Sequence, residues 1–272
     1  MRWKRKLAVL LMGVCLAVGP QAGPAAAIVG GEEANPRRHQ FMAGLIDVER
    51  MSLFCGATLI SPRYVLTAAH CVDRRSVQRV GVLLGDHDHS TGSETQATRL
   101  VRVEDIVVHE NYAPDTKANN IALVRLMEPV QTSWEIDVAY LPWEHAPDSF
   151  DNVVVVAMGW GALSFGGPVS SVLQNAELDT MTNAECVDRD GPYVTSGSIC
   201  TYAPGRGPCT YDDGGPVIHY VERNADHPVL VGVISHGRGC AGSSPDVNTR
   251  VSSYLEWILR NTPGAVYATR PS

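Results

Sequence analysis

Apolar and polar positions alternate along most of this chain in short stretches. Gly81-Val-Leu-Leu84, Val153-Val-Val-Val156 and Val229-Leu-Val-Gly-Val-Ile234 are apolar runs of strand length, rich in β-branched residues. Clusters such as Asp86-His-Asp-His-Ser-Thr-Gly92 and Phe165-Gly-Gly-Pro168 separate them. β-Branched side chains pack well on a pleated surface, whereas Gly, Pro, Asp and Ser favour turns, so the pattern predicts an all-β domain. Many short strands suit a sandwich or a barrel, and periodicity alone leaves that choice open. The end of the chain differs. Val251, Tyr254, Leu255, Ile258 and Leu259 recur at helical spacing, and Asn261 and Pro263 close the segment. A C-terminal helix packed on the body is expected there, then a loose tail over residues 263–272.

The beginning is neither strand nor amphipathic helix. MRWKRK is basic, residues 7–19 are apolar, and Ala25-Ala26-Ala27 supplies small residues. This order is that of a secretory signal peptide over residues 1–27, and the apolar run is short for a bilayer span. No second apolar run of transmembrane length follows.

With 272 residues, 44% of them hydrophobic, the chain can bury a large core. Removing residues 1–27 takes the formal charge from −7 to −11, with 18 Lys and Arg against 29 Asp and Glu. Such an acidic domain lacks the electrostatic footprint for nucleic acid or an anionic membrane. Lys117 is then the one remaining lysine, a feature that composition bias explains. Of seven cysteines, Cys15 falls in the leader, which leaves Cys55, Cys71, Cys186, Cys200, Cys209 and Cys240. An even number in an exported chain predicts disulfides, although spacing does not choose among the possible pairings. No Cys/His cluster has zinc-ligand spacing.

Seven motifs narrow the fold. They are Ile28-Val-Gly-Gly31, Phe54-Cys-Gly-Ala-Thr-Leu-Ile-Ser61, Leu66-Thr-Ala-Ala-His-Cys71, Asn120-Ile-Ala-Leu123, Gly159-Trp-Gly161, Cys209-Thr-Tyr-Asp-Asp-Gly-Gly-Pro216 and Ser235-His-Gly-Arg-Gly-Cys-Ala241. In order and spacing the chain resembles the chymotrypsin-like serine proteases. His109-Glu-Asn-Tyr112 and Val172-Leu-Gln-Asn175 look closest to its brachyurin-like arthropod branch. The resemblance implies one domain over residues 28–262. It would hold two six-stranded antiparallel β-barrels, about 28–140 and 141–250, a C-terminal helix, and an active site in the cleft between the barrels. It also implies disulfides Cys55–Cys71, Cys186–Cys200 and Cys209–Cys240.

The family's chemistry needs a serine that attacks the peptide carbonyl, a histidine that takes its proton, a buried aspartate that fixes the histidine tautomer, and backbone N–H groups for the oxyanion. The histidine is His70. Asn120 stands where the orienting aspartate belongs, and an amide favours the wrong tautomer, which costs about 10⁴ in turnover in such a triad. Asp213 stands at the nucleophile, where a carboxylate attacks amides poorly and carries charge beside the oxyanion. Tyr211 stands where the family has an oxyanion-hole glycine, and its side chain is expected to force other backbone angles. His70 and Asp213 should be neighbours.

Other positions are kept. Asp212 matches the family's buried aspartate that pairs with the freed amino terminus, here Ile28. Since Ala27 precedes it, signal peptidase itself is expected to expose that terminus. The substrate pocket falls on Gly207 and Asp246, with Ser235, His236 and Gly237 as the peptide-pairing strand and Arg238 on the rim, where it could neutralise Asp246. A carboxylate at 246 favours an Arg or Lys side chain. The loop from Asp86 to His89, with Glu94 beyond it, lies near the family's calcium loop and reads as a solvated turn, with calcium a minor possibility and no other metal or cofactor implied. The expectation is a secreted, catalytically inactive homologue that binds proteins or peptides, such as a protease, an inhibitor or a cascade component, as cofactor, decoy or regulator. The alternative is a hydrolase of altered chemistry using Asp213 and His70.

Overall fold

The computed structural model describes residues 28–91, 97–142, 149–220 and 228–266. The expected signal peptide, residues 1–27, and Glu94 lie outside the described residues. Two closed six-stranded antiparallel barrels form the body. The first uses β2 (Met42–Asp47), β3 (Ser52–Ser61), β4 (Tyr64–Thr67), β5 (Val80–Leu84), β6 (Arg99–Val108) and β7 (Ala122–Leu126), closed in the order β2-β3-β4-β7-β6-β5. The second uses β8 (Val154–Gly159), β9 (Gln174–Met181), β10 (Ser198–Tyr202), β11 (Pro216–Tyr220), β12 (Pro228–His236) and β13 (Asp246–Arg250), and β8 returns to pair with β9. Closure removes the unpaired sheet edges that an open six-stranded sheet would leave.

The apolar runs of the sequence fill these barrels. Every residue of β2 and β5 is buried, as expected of strands facing a core on one side and neighbours on the other. In β9, Glu177 and Asp179 point outward while Ala176, Leu178 and Thr180 point inward, the period of two that a half-exposed strand requires. Register shifts at Leu45/Ile46, Leu59/Ser61, Val103/Asp105 and Val217/Ile218 bend strands round the barrels. The disulfides are Cys55–Cys71, Cys186–Cys200 and Cys209–Cys240, as the resemblance implied. The short helix α2 (Asn183–Asp188) starts at a capping box in which Thr182 and Glu185 bond each other's backbone N–H, typically worth about 1 kcal/mol.

Three details depart from the expected layout. Residues 28–33 do not join the first barrel: β1 (Glu32–Glu33) pairs with β9 and Ile28 is buried in the core of the second. The C-terminal segment forms a 3-10 turn (Val251–Tyr254) and helix α3 (Leu255–Asn261). Val251, Tyr254, Leu255 and Ile258 pack into the large core cluster, joined by Trp257, whereas Leu259 is 49% exposed. The segment after the helix is not loose at residue 266. Leu141 N–H donates to the carbonyl of Val266 at 2.7 Å, and Val266 N–H donates to the Ile60 carbonyl in β3 at 3.4 Å, which ties this end to the first barrel.

The loop expected to be a solvated turn is a strap between the barrels. The carbonyl of His87 accepts from Leu173 N–H (2.8 Å) and from Trp160 Nε1–H (2.9 Å), and His89 N–H donates to Ser171 (3.0 Å). His87 Nε2 meets Glu33 at 3.0 Å and His89 Nε2 meets the Ser170 carbonyl at 3.0 Å. Asp88 accepts both donors of Ser90, so these side chains are committed to the turn and strap and do not fit a calcium cage. Cys55, Cys71 and His70 come within ligand distance of one another, but both sulfurs are in a disulfide and offer no thiolate.

Candidate active site and cleft

His70 sits in helix α1 (Ala69–Val72), at the end of β4, and Asn120 precedes β7, so two adjacent strands of the first barrel deliver them to the cleft. The second barrel supplies Asp213 from the loop before β11, and Ser235 and His236 from the end of β12. These five residues form one hydrogen-bonded chain. The Asn120 side-chain oxygen accepts from His70 backbone N–H at 3.0 Å, which fixes the amide orientation. Its NH₂ group therefore faces His70 Nδ1 (2.8 Å) and Ser235 Oγ (2.7 Å). An NH₂ has only protons to give, so His70 Nδ1 must accept. The ring's proton is then on Nε2, aimed at Asp213 Oδ2 3.2 Å away. On the other arm, Ser235 Oγ lies 2.8 Å from His236 Nδ1, and His236 Nε2 lies 3.0 Å from the Pro192 carbonyl. A carbonyl only accepts, so His236 carries its proton on Nε2 and takes the Ser235 hydroxyl proton at Nδ1. Burial pushes the His236 pKa down, in keeping with a neutral ring. With its proton on Nε2, His70 cannot accept one there.

The loop bearing Asp213 keeps its scaffold. Asp212 is fully buried and accepts from Gly161 N–H (2.8 Å) and Cys209 N–H (2.9 Å). Burial, against those two bonds, pushes its pKa up to about 8, with the nearby charges of Asp213 and Asp246 adding to the rise. Val29 exchanges backbone bonds with Gly207 (3.1 and 3.2 Å), two residues before Cys209, so the Ile28 segment is docked beside this loop. Tyr211 holds a backbone conformation that a side chain rarely adopts. Its φ is +77°, the left-handed region that glycine enters freely and a side chain enters at a cost of about 1–2 kcal/mol. The ring of Tyr211 faces a groove with Met51, Leu53, Leu100 and Val169.

A cleft of about 340 Å³ runs past Asp213 down to Asp246, walled by Pro208, Ile234 and the Cys209–Cys240 disulfide. Asp246 at its base stands between two glycines: a Cβ at Gly207 would lie 2.8 Å from Oδ2, and one at Gly237 would overlap Oδ1. Among the described residues no donor meets the Asp246 carboxylate. Burial, then the charge of Asp213, pushes its pKa up to about 7. Arg238 does not neutralise it, because its guanidinium is held by Asp190 (Nη2 to Oδ1, 3.0 Å; Nε to the carbonyl, 3.2 Å).

The structure thus brings His70, Asp213, Ser235, His236, Gly237 and Asp246 to one cleft and Gly207 to its base, while Asn120, Ile28 and Asp212 lie buried behind it. Sequence reasoning missed Lys117 and Phe165, which line the cleft. Phe165 is 80% exposed in a Gly/Pro turn, where an aromatic has no core to fill.

Two barrels with this cleft between them are the architecture of one enzyme family. The trypsin family model matches residues 28–258, and the chain belongs to the chymotrypsin-like serine protease family. It is similar to venom serine protease 34 of Apis mellifera, 37% identical over 244 residues, 88% of this chain and 60% of that protein. Brachyurin of Leptuca pugilator is 37% identical over 241 residues, 86% of this chain and 98% of its own. A venom serine protease of Polistes dominula is 33% identical over 88% of this chain and 87% of its own. The chain thus spans less than two thirds of the length of the Apis relative.

Proposed function

We propose that this chain is a secreted, non-catalytic serine-protease homologue that works by binding a basic segment of a protein or peptide in its cleft. One observation carries the reading: His70 presents a proton, not a lone pair, at Nε2, and the atom it meets is a carboxylate oxygen of Asp213. A general base must accept a proton at that atom, and the residue beside it must be a nucleophile that gives one up. Asp246, unpaired at the base of the cleft, supplies attraction for an Arg or Lys side chain, and the exposed ring of Phe165 lines the cleft. The three disulfides suit an oxidising compartment, which supports the leader reading of residues 1–27.

A serine-directed fluorophosphonate probe leaves the secreted protein unlabelled, and arginyl and aromatic amides are not turned over. Hydrolysis that disappears in both Asp213→Ala and His70→Ala overturns the reading in favour of an altered hydrolase. The Ile28 α-ammonium is further proposed to reach Asp212 once signal peptidase cuts after Ala27. Amino-terminal sequencing of secreted protein should start at Ile28, and a start at Gly23 or earlier rules this out.

A further inference from the structure

In an active relative of this architecture the nucleophile position is neutral, so the cleft holds at most the charge at its base. Here it holds two negative groups. Asp213 and Asp246 line the same cleft, and each lies close enough to be felt electrostatically by the other and by the buried Asp212. Asp213 is 39% exposed, and only its Oδ2 is engaged, by His70; Oδ1 has no hydrogen-bond partner among the described residues. The Asp246 carboxylate has no donor at all among those residues, and no ion pair joins it to Lys117 or to Arg238. A largely buried, unpaired carboxylate is costly, and a second one facing the same cavity raises that cost. Between them the wall is apolar: Pro208, Ile234 and the Cys209–Cys240 bridge offer surface to methylene groups.

We infer that Asp213 is a second anionic anchor, and that the cleft selects ligands bearing two cationic groups on one flexible methylene chain. One cation, guanidinium or ammonium, descends to Asp246 between Gly207 and Gly237, where a side chain at either glycine would block it. The other stays at the mouth on Asp213, whose free oxygen accepts from it. A free diamine or polyamine has this chemistry, and so does a polypeptide that begins with Arg or Lys, whose α-ammonium stands a few bonds from its side-chain charge. The inference rests on the proposed binding role of the cleft and adds to it the reason for an aspartate at 213.

The test is calorimetric titration of the whole secreted protein at pH 8 and low salt with a matched pair of probes. Agmatine and n-butylguanidine share a guanidinium on four carbons and differ in one terminal ammonium. Agmatine should bind about five- to tenfold more tightly, as a half-exposed charge-assisted bond allows. In Asp213→Asn that ratio should fall to about one, and in Asp246→Asn both probes should be lost. An Arg-initiated peptide with a free amine, compared with its N-acetyl form, separates the polypeptide source from the free amine. Equal binding of the two probes to the wild type, with loss in Asp246→Asn, overturns the second anchor but leaves the cleft reading intact. A preference for agmatine that survives Asp213→Asn also overturns it. Failure of both probes on the wild type removes the cleft reading with it. Circular dichroism of each variant shows whether a loss reflects unfolding.

Discussion

Asp212 and Asp213 are neighbours in sequence and opposites in environment. Asp212 is fully buried and holds two backbone N–H groups, Gly161 and Cys209, that pin the loop to the second barrel. Asp213 faces the cleft and is met by a single imidazole. The first belongs to the scaffold, and the second belongs to whatever occupies the cleft. The difference teaches that a residue facing the cleft can change without disturbing the framework that positions it, because separate residues carry the two tasks.

The largest effect expected from breaking that division is a return of turnover. Asp213→Ser alone supplies a hydroxyl but leaves Asn120 holding His70 in the wrong tautomer. Asn120→Asp with Asp213→Ser should exceed it by about 10⁴ in turnover of an arginyl amide, measured by chromogenic assay. Equal rates for the two variants would show that the tautomer is not what Asn120 controls. Next comes stability. Asp212→Ala leaves two buried N–H groups unpaired and should cost about 2–4 kcal/mol in urea unfolding, whereas Asp213→Ala should change stability by about 0.5 kcal/mol or less. Similar losses for both would mean that Asp213 is structural as well. The smallest effect is in pH. Asp246, with its pKa raised to about 7 by burial and by Asp213, is neutral below that value and charged above it. Benzamidine, a cation throughout, should therefore bind about tenfold more tightly at pH 8 than at pH 6. In Asp213→Asn the midpoint should move to lower pH, since one source of the rise is gone. A flat profile would place the ligand elsewhere.

Most of this was legible in the chain. Motif order carried the barrels and the disulfides, and the altered residues at 120, 211 and 213 stood out against a family pattern that is local in sequence. What was not legible depended on contacts distant in sequence. The loop at 86–89 reads as a polar turn because its four residues are polar, yet its histidines are spent on Glu33 and Ser170. Leu259 fits the helical spacing but stays exposed, whereas Trp257, off that apolar stripe, is buried, because the helix sits in a crevice that covers it from a second side. Arg238 is placed on the cleft rim by sequence, but the competing carboxylate, Asp190, is 48 residues away. At Tyr211 the positive φ was not legible, because a tyrosine gives no local sign that its surroundings hold it in the left-handed region.

The amide of Asn120 sets the direction of two hydrogen-bonded arms at once. Its two N–H bonds send dipoles outward along both arms, one ending on Asp213 and the other, through Ser235 and His236, on Pro192. An aspartate at 120 has no proton to give, so both arms must reverse: His70 has to move its proton to Nδ1, and Ser235 has to turn its hydroxyl away from His236. A reversion at 120 therefore falls on His236 as well as His70, and His236 is locked by a carbonyl that cannot change sense. The hydrogen-bond network thus couples position 120 to both cleft histidines, so a substitution there is felt on both arms at once.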